Sequence, residues 1–461
     1  MTALWTSSEI AEATGGNASA EFRASSVAYD SREIGPGDLF VALKGESTDG
    51  HRFVDGAFAA GAAGAITSIP VDHPHVLVGD TAAALDALGR AGRARTQAKI
   101  IGVTGSVGKT GTKEALWAAL DRAAPGRAHR SVKSYNNHVG VPLSLARMPA
   151  ATRFGVFEMG MNHAGELDAL TKLVRPHVAI VTAIAPAHSA FFSGEEAIAD
   201  AKGEIFRGLE PGGTAIVPCD SPHRDRLIAA AKPYASRIWT FGRGQGADVR
   251  AVEAMPTANG TLISAVLPEA ELTFTLALPG AHWVSNALAV IAAVEAAGGD
   301  LAAAGLALSE IEGLAGRGRR IRVPLEDGEA LIVDESYNAN PASMAATIAL
   351  LGQEKAVRRL VLLGEMRELG EGSRGYHAAL AGPLESANVD YALLVGEEMK
   401  SLGQALEGRI DFDHAPDAAA AKDVMAKMLR PGDALLIKGS NAIGLSRVVE
   451  ALSRGTVACS I

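Results

Sequence analysis

At 461 residues the chain exceeds what one ordinary core supports, so two to four domains are expected. A composition of 48% hydrophobic and 21% charged residues excludes a disordered chain. The formal net charge of −9 argues against a nucleic-acid-binding surface, which is normally basic. Cys219 and Cys459 stand far apart and in no metal-ligand spacing, which speaks against a zinc site or a disulfide scaffold and fits a reducing cytoplasm. The N-terminus has no basic region and meets Glu9 early, unlike a signal peptide. The longest uncharged apolar run, at 178–192, contains Pro186 and His188 and is too short to span a bilayer. A soluble cytoplasmic protein is expected.

Residues 1–80 read as a small N-terminal α/β domain, with strands at Leu39–Leu43 and Val76–Val78. A helix is predicted over Thr81–Thr96 and opens a central domain, 81–314. There, β-prone runs at Ile100–Val103, Phe154–Glu158, Val178–Ala183, Thr214–Val217 and Arg237–Phe241 alternate with helices. That alternation predicts a mostly parallel sheet covered on both faces. Residues 248–278 read as strand–turn–strand with Asn259-Gly260 at the turn, an antiparallel hairpin. A helix at Trp283–Ala297 and a Gly/Arg-rich segment, Gly313–Arg320, follow; the latter reads as an interdomain hinge. The third domain, 315–461, carries strands at Ala330–Val333, Leu360–Leu363, Ala392–Val395 and Ala434–Lys438 between helical stretches, the pattern of a doubly wound, Rossmann-like sheet. The expected fold is α/β in three domains.

The most telling stretch is Ile101–Thr110, an apolar β-prone run that breaks into Gly105, Ser106, Val107, Gly108, Lys109 and Thr110, with a helix predicted from Lys113 to Arg122. Strand, glycine-rich turn and helix in that order form a phosphate cradle. Turn N–H groups and the helix N-terminus face an anion, Lys109 supplies a positive charge, and the Thr110 hydroxyl can ligate magnesium. The spacing departs from the common G-x-x-x-x-G-K-[ST] form, because Val103 stands where its first glycine would be. A chance turn could carry the same letters, but its place between strand and helix favours a nucleoside triphosphate.

Other constellations must name the reaction. Glu158 ends a predicted central strand, where it is either a magnesium ligand or an ordinary solvated acid. His188 follows another apolar strand at the same edge; a lone histidine is more often structural, and magnesium prefers oxygen. Lys202, in Ala201-Lys-Gly-Glu-Ile205, reads from pattern alone as half of a solvated Lys/Glu pair on a helix face. Asp334, ahead of Glu335-Ser-Tyr-Asn-Ala-Asn-Pro341, could accept from a ribose hydroxyl. The asparagines after it could offer amides to a ligand or simply close a turn. Lys438, with Gly439-Ser-Asn441, puts a positive charge at the third sheet's edge, unless Ser440 only caps a helix beside a solvated lysine.

Taken in order, T-G-S-V-G-K-T, Asn136-Asn-His-Val-Gly-Val-Pro-Leu-Ser144, Glu158-Met-Gly-Met-Asn-His163, His188, Lys202-Gly-Glu-Ile205, Gly280-Ala-His-Trp-Val-Ser-Asn286 and Asp334–Pro341 resemble the Mur ligases over essentially the whole chain. These are ATP-dependent amide-bond ligases that build the peptide of peptidoglycan precursors. Asp30-Ser-Arg32, Gly37-Asp-Leu-Phe-Val-Ala-Leu43 and Asp49-Gly-His-Arg-Phe53 are similar to the family's uridine-nucleotide-binding domain. The asparagine pair, the Asp334 run and Leu363-Gly-Glu-Met-Arg-Glu-Leu-Gly370 look most like the members that join D-alanyl-D-alanine to a UDP-N-acetylmuramoyl tripeptide.

The resemblance implies roles. Gly105 to Thr110 would hold the ATP phosphates, with Lys109 on the transferring group. Thr110, Glu158, His188 and Lys202 would serve two magnesium ions, Lys202 as a carbamate. Asn286 would lie near adenine, Asp334 at the ribose, and Asn338, Asn340 and Lys438 near nucleotide or dipeptide. Ser31, Arg32, Asn136 and Asn137 would meet the UDP precursor. A hinge arginine, Arg317 or else Arg319, would reach phosphate. A monomer with no nucleic-acid partner and no membrane insertion is expected. A folylpolyglutamate-synthetase-like ligase would lack the first 80 residues, and the neighbouring diaminopimelate ligase would carry Asp-Asn-Pro-Arg, which is absent here. A non-enzymatic nucleotide switch would release no phosphate that depends on both substrates.

Overall fold

In the computed structural model, residues 3–45, 48–186, 192–257 and 260–454 are described. Three larger sheets follow one another along the chain, with a two-stranded antiparallel ribbon of Trp5–Thr6 and Arg23–Ala24 at its start. The first has five strands, in the order Asn17–Ala18, His75–Leu77, Gly64–Thr67, Asp38–Val41 and Ser26–Ala28. The second has nine: Glu271–Leu276, Gly260–Val266, Val249–Thr257, Arg237–Gly242, Thr214–Pro218, Val178–Val181, Lys99–Thr104, Phe154–Glu158 and Ala128–Arg130. The third has six: Arg319–Leu325, Gly328–Glu335, Asp433–Lys438, Arg358–Gly364, Tyr391–Val395 and Asp411–Ala415. No helix among the described residues is long and apolar enough to cross a membrane.

The central strands are near-continuous apolar runs because both faces are covered. Ile101, Val103 and Ile180 point to one core with helices Lys109–Ala123 and Ala281–Ala296, while Ile100, Ala179 and Val181 point to the other. All pairings from Ala128–Arg130 to Val249–Thr257 are parallel. The C-terminal edges of Lys99–Thr104, Phe154–Glu158 and Val178–Val181 therefore lie side by side.

Helix Thr81–Ala94 ties the first two sheets together. Its Ala84, Leu85 and Leu88 share one core with Val27, Leu39 and Ile66 of the first sheet and with Leu143 and Ala146 of helix Gly140–Ala146. The two helices approach closely at Gly92, where an added Cβ would sit 2.4 Å from the Leu145 carbonyl oxygen. Asp80 starts the helix by accepting from Ala82 and Ala83 N–H.

Several expectations need correction. The phosphate-side helix begins at Lys109 rather than Lys113, because Gly108 in the left-handed region serves as its N-cap. Residues 248–278 form three antiparallel strands instead of a two-stranded hairpin, and Asn259 lies outside the described residues. The segment 313–320 is only partly a linker: Arg319 and Arg320 already belong to a strand antiparallel to Gly328–Glu335. Asp411–Ala415 adds an unforeseen sixth strand, an edge element whose Asp411, Asp413 and His414 are exposed and so interrupt the apolar signal.

His129, on the edge strand Ala128–Arg130, donates from Nε2 to the Ser144 carbonyl at 2.8 Å, and burial pushes its pKa down from 6.5 to about 4. The unfolded chain therefore takes up a proton below pH 6.5 that the folded chain refuses until about 4. This residue lowers stability as pH falls through that window, by about 3 kcal/mol in total. His129→Gln should flatten the pH dependence of chemical unfolding between those limits; an unchanged slope would refute the assignment.

Candidate active site

The apolar strand Lys99–Thr104 delivers the chain into a turn pinned by its neighbour. Ser106 N–H donates to the Ala183 carbonyl at 2.8 Å, and the Thr182 hydroxyl donates to the Val107 carbonyl at 2.6 Å. Gly105 and Gly108 take φ of 151° and 86°. At Gly108 a side chain is excluded twice, by that backbone conformation and because a Cβ would lie 2.8 Å from Asn286 Oδ1. Asn286, on helix Ala281–Ala296, thus packs directly over the turn. Lys109 folds back so that Nζ donates to the Gly105 carbonyl at 2.7 Å. Burial lowers its pKa, Glu158 opposes that shift, and Arg317 adds to it.

Glu158 is 1% exposed at the end of the strand beside the turn. Its Oε2 accepts from the Thr110 hydroxyl at 2.8 Å and its Oε1 from Asn136 Nδ2 at 2.8 Å. Lys113 Nζ stands 3.9 Å from Oε2. A solvated strand-end acid is therefore excluded: a buried carboxylate held by hydrogen bonds points into the phosphate loop's own helix. Sequence reading passed over Lys113, which is 0% exposed. Its position three residues after Thr110, on the same helix face, was the available signal.

Lys202 also departs from the solvated reading. On helix Glu195–Gly203 it is 1% exposed, and burial followed by the charge of Lys109 drives its pKa well down. Among the described residues its amine has no hydrogen-bond partner. Its sequence neighbour Glu204 accepts from Gly165 N–H at 2.9 Å and from Asp168 N–H at 3.2 Å, which satisfies the start of helix Glu166–Val174. His188 lies outside the described residues. Among the described residues no group of three or more His, Cys, Asp or Glu side chains is placed to hold a metal.

From the third sheet, Arg317 reaches the central one. Its guanidinium stacks on the Tyr337 ring at 4.3 Å, and Nη2 donates to Ser134 Oγ at 3.3 Å. Arg319 is exposed on its strand, so Arg317 is the arginine facing the loop. Asp334, 4% exposed, braces the turn that carries Arg317: Oδ2 accepts from Gly316 N–H at 2.7 Å, and Oδ1 from the Ser336 hydroxyl at 2.6 Å. Asn338 Oδ1 accepts from Ala339 N–H, and Asn340 Oδ1 caps helix Pro341–Gly352 through Ser343 N–H at 2.9 Å, so both side-chain oxygens help to close the turn. Lys438 is 2% exposed and donates to the Asn338 carbonyl at 3.0 Å and to Glu335 at 3.3 Å, which overturns the solvated alternative. Ser440 makes no side-chain cap; its hydroxyl accepts from Arg367 N–H.

The presumed precursor contacts divide. Ser31 and Arg32 sit on a short 3-10 turn, Ser31–Glu33, with the Arg32 side chain exposed and paired to Asp30 at 2.6 Å. Asn136 holds Glu158, whereas Asn137 Oδ1 accepts from Gly140 N–H at 2.9 Å and starts helix Gly140–Ala146.

Three family profiles match in order: Mur ligase family, catalytic domain, at residues 23–93; Mur ligase middle domain, at 103–294; and Mur ligase, glutamate ligase domain, at 318–441. The chain is 33% identical over 439 residues to the UDP-N-acetylmuramoyl-tripeptide–D-alanyl-D-alanine ligase of Escherichia coli, with 94% of each chain covered. It is also 33% identical to the Bacillus subtilis ligase of that name, with 92% of each covered. Its structure is similar to crystal structure II of MurF from Acinetobacter baumannii, with a TM-score of 0.84, 32% identity, and 98% and 99% of the two chains covered. It is similar as well to the Thermotoga maritima MurF ligase in complex with ADP, with a TM-score of 0.75, 26% identity, and 93% and 97% covered. Three profiles in family order and a third of the residues identical along nearly the whole chain leave one assignment: the chain belongs to the Mur ligase family.

Proposed function

We propose that this protein is an ATP-dependent ligase that joins D-alanyl-D-alanine to UDP-N-acetylmuramoyl tripeptide, giving the UDP-linked pentapeptide precursor of peptidoglycan. The observation that carries the chemistry is the Thr110–Glu158 contact at 2.8 Å beside Lys109. It brings a hydroxyl and a buried carboxylate together at the mouth of a phosphate turn. The division into 1–80 for the UDP end, 81–314 for ATP and 315–461 for the dipeptide belongs to this reading. So do a monomeric state, a cytoplasmic setting and the lack of a nucleic-acid partner.

A carboxylate oxygen is a poor leaving group, so the tripeptide's terminal carboxylate first takes the γ-phosphoryl group of ATP to give an acyl phosphate. The dipeptide amine then attacks the acyl carbon, and inorganic phosphate leaves from the tetrahedral intermediate. Two anions must meet, so charge neutralisation dominates. Turn N–H groups from Gly105 to Thr110 cradle the phosphates. Lys109 moves from the Gly105 carbonyl to the transferring phosphoryl, and Arg317 completes the positive wall from across the hinge. Asn286 and Asn338 border the adenosine end, with Asp334 assigned to the ribose. Lys438 borders the dipeptide, and Ser31, Arg32 and Asn137 border the UDP precursor.

The oxygen pair of Thr110 and Glu158 fits magnesium, which prefers hard oxygen ligands. When bound, magnesium spreads the phosphate charge. His188 is assigned to a second such ion. The buried Lys202 amine fits the same purpose: its pKa is lowered by burial, and Nζ, once deprotonated, would add carbon dioxide, forming a C–N bond and releasing a proton, to give a carbamate whose oxygens could serve a cation. That carbamate also offsets the nearby Lys109 charge.

Mass measurement should find a product weighing the two substrates less one water, with phosphate release requiring both. Release with either alone would overturn the reading. Lys109→Ala should lower kcat by about 10²–10³, and unchanged turnover would refute the cradle. Gly108→Ala should weaken nucleotide binding at least about tenfold, or 1.4 kcal/mol, as read by calorimetry. Protein equilibrated with 13C-bicarbonate should show a carbamate resonance that Lys202→Arg removes; a spectrum identical in the two proteins would exclude the modification.

A further inference from the structure

The loop 131–137 meets the N-terminal lobe, the strand that carries Glu158, and Arg317. Ser131 N–H donates to the Val156 carbonyl, and its Oγ accepts from Glu158 N–H at 3.2 Å. Asn136 holds the Glu158 carboxylate, and its carbonyl accepts from Gly160 N–H at 2.8 Å. Ser134 takes the hinge arginine. At the centre, Lys133 sits at φ 51°, a left-handed backbone that a lysine adopts only when its surroundings enforce it. Two groups enforce it from opposite sides. The buried Lys113 ammonium donates to the Lys133 carbonyl at 2.6 Å, and Glu33 of the N-terminal lobe pairs with the Lys133 ammonium. Glu33 also accepts from the Tyr135 hydroxyl at 2.8 Å and 3.0 Å.

Glu33 is the last residue of the turn that carries Ser31 and Arg32. An unbroken chain of contacts therefore runs from that turn through Lys133 and Tyr135 to Asn136, Glu158 and Thr110. We propose that this loop couples the UDP-precursor turn to the phosphoryl site, with Glu33 and Lys113 as positioning residues that set its conformation. This inference rests on the functional reading above. When the precursor orders the 31–33 turn, Glu33 fixes Lys133, and Asn136 and Glu158 are held where the nucleotide needs them. Linkage makes the effect mutual, so nucleotide tightens the precursor by the same factor.

The test is the affinity of a non-hydrolysable ATP analogue with magnesium, measured with and without saturating UDP-N-acetylmuramoyl tripeptide. The native chain should bind the analogue about fivefold or more tightly with the precursor present. In Glu33→Lys the factor should fall below about twofold, and adding Lys133→Glu, which restores the opposite charges in reversed order, should bring it back. Glu33→Gln, a milder change, should lose part of it. A native chain that binds both ligands without coupling overturns the proposal, as does coupling that survives both Glu33 substitutions or fails to return in the reversed pair. A native chain that binds no precursor at all removes the functional reading and this one with it.

Discussion

A carboxylate buried at the end of a central strand is the constraint around which this protein is arranged. Stripping a carboxylate of water costs several kcal/mol, and each charge-assisted hydrogen bond returns about 1.5–3 kcal/mol. Glu158 meets that demand with the Thr110 hydroxyl and the Asn136 amide, while Lys113 stands close behind. Its partners come from the helix after the phosphate turn and from the loop before helix Gly140–Ala146. The acid consequently fixes the relative position of three segments far apart in sequence. Such an arrangement stores negative charge where a cation will share it, which suits a site that must bring two anions together.

The same economy recurs with positive charge. Lys109, Lys113, Lys202 and Lys438 are withdrawn from water to differing degrees, and only three of them have hydrogen-bond acceptors among the described residues. Lys109 rests on a backbone carbonyl, which holds an ammonium loosely enough for an arriving anion to take it, while Lys438 is shared between the Asn338 carbonyl and the Glu335 carboxylate. Lys113 is shared between a carbonyl and Glu114 at 2.9 Å, which makes it a strut. Lys202 stands apart, buried and without such an acceptor among the described residues, its pKa driven down by burial and by the charge of Lys109.

Much of this was legible beforehand because it follows from local rules. The phosphate turn declares itself through glycine and a strand-to-helix switch, and the position of Glu158 follows from the apolar run Phe154–Phe157. What could not be read depends on burial. Nothing in Ala201-Lys-Gly-Glu-Ile205 separates a solvated lysine from an enclosed one, since the enclosing residues come from elsewhere in the chain. Asp334 and Asn340 carry letters suited equally to ligand contacts and to turns, and only the hydrogen bonds to Gly316 and Ser343 reveal their structural use. The edge strand Asp411–Ala415 was missed because an edge strand need not be apolar.

Helix Thr81–Ala94 has a further consequence. Because one apolar core runs through the first sheet, this helix and the helix Gly140–Ala146, the first two lobes cannot slide against each other without opening that core. The span from the Ser31–Arg32 turn to the Thr110–Glu158 pair is therefore a fixed gauge. On the reading proposed above, a nucleotide-linked peptide anchored at that turn would be sorted by reach: too few residues would leave its carboxylate short of the phosphate, and too many would push it past. Selection by length needs no contact with any side chain of the donor.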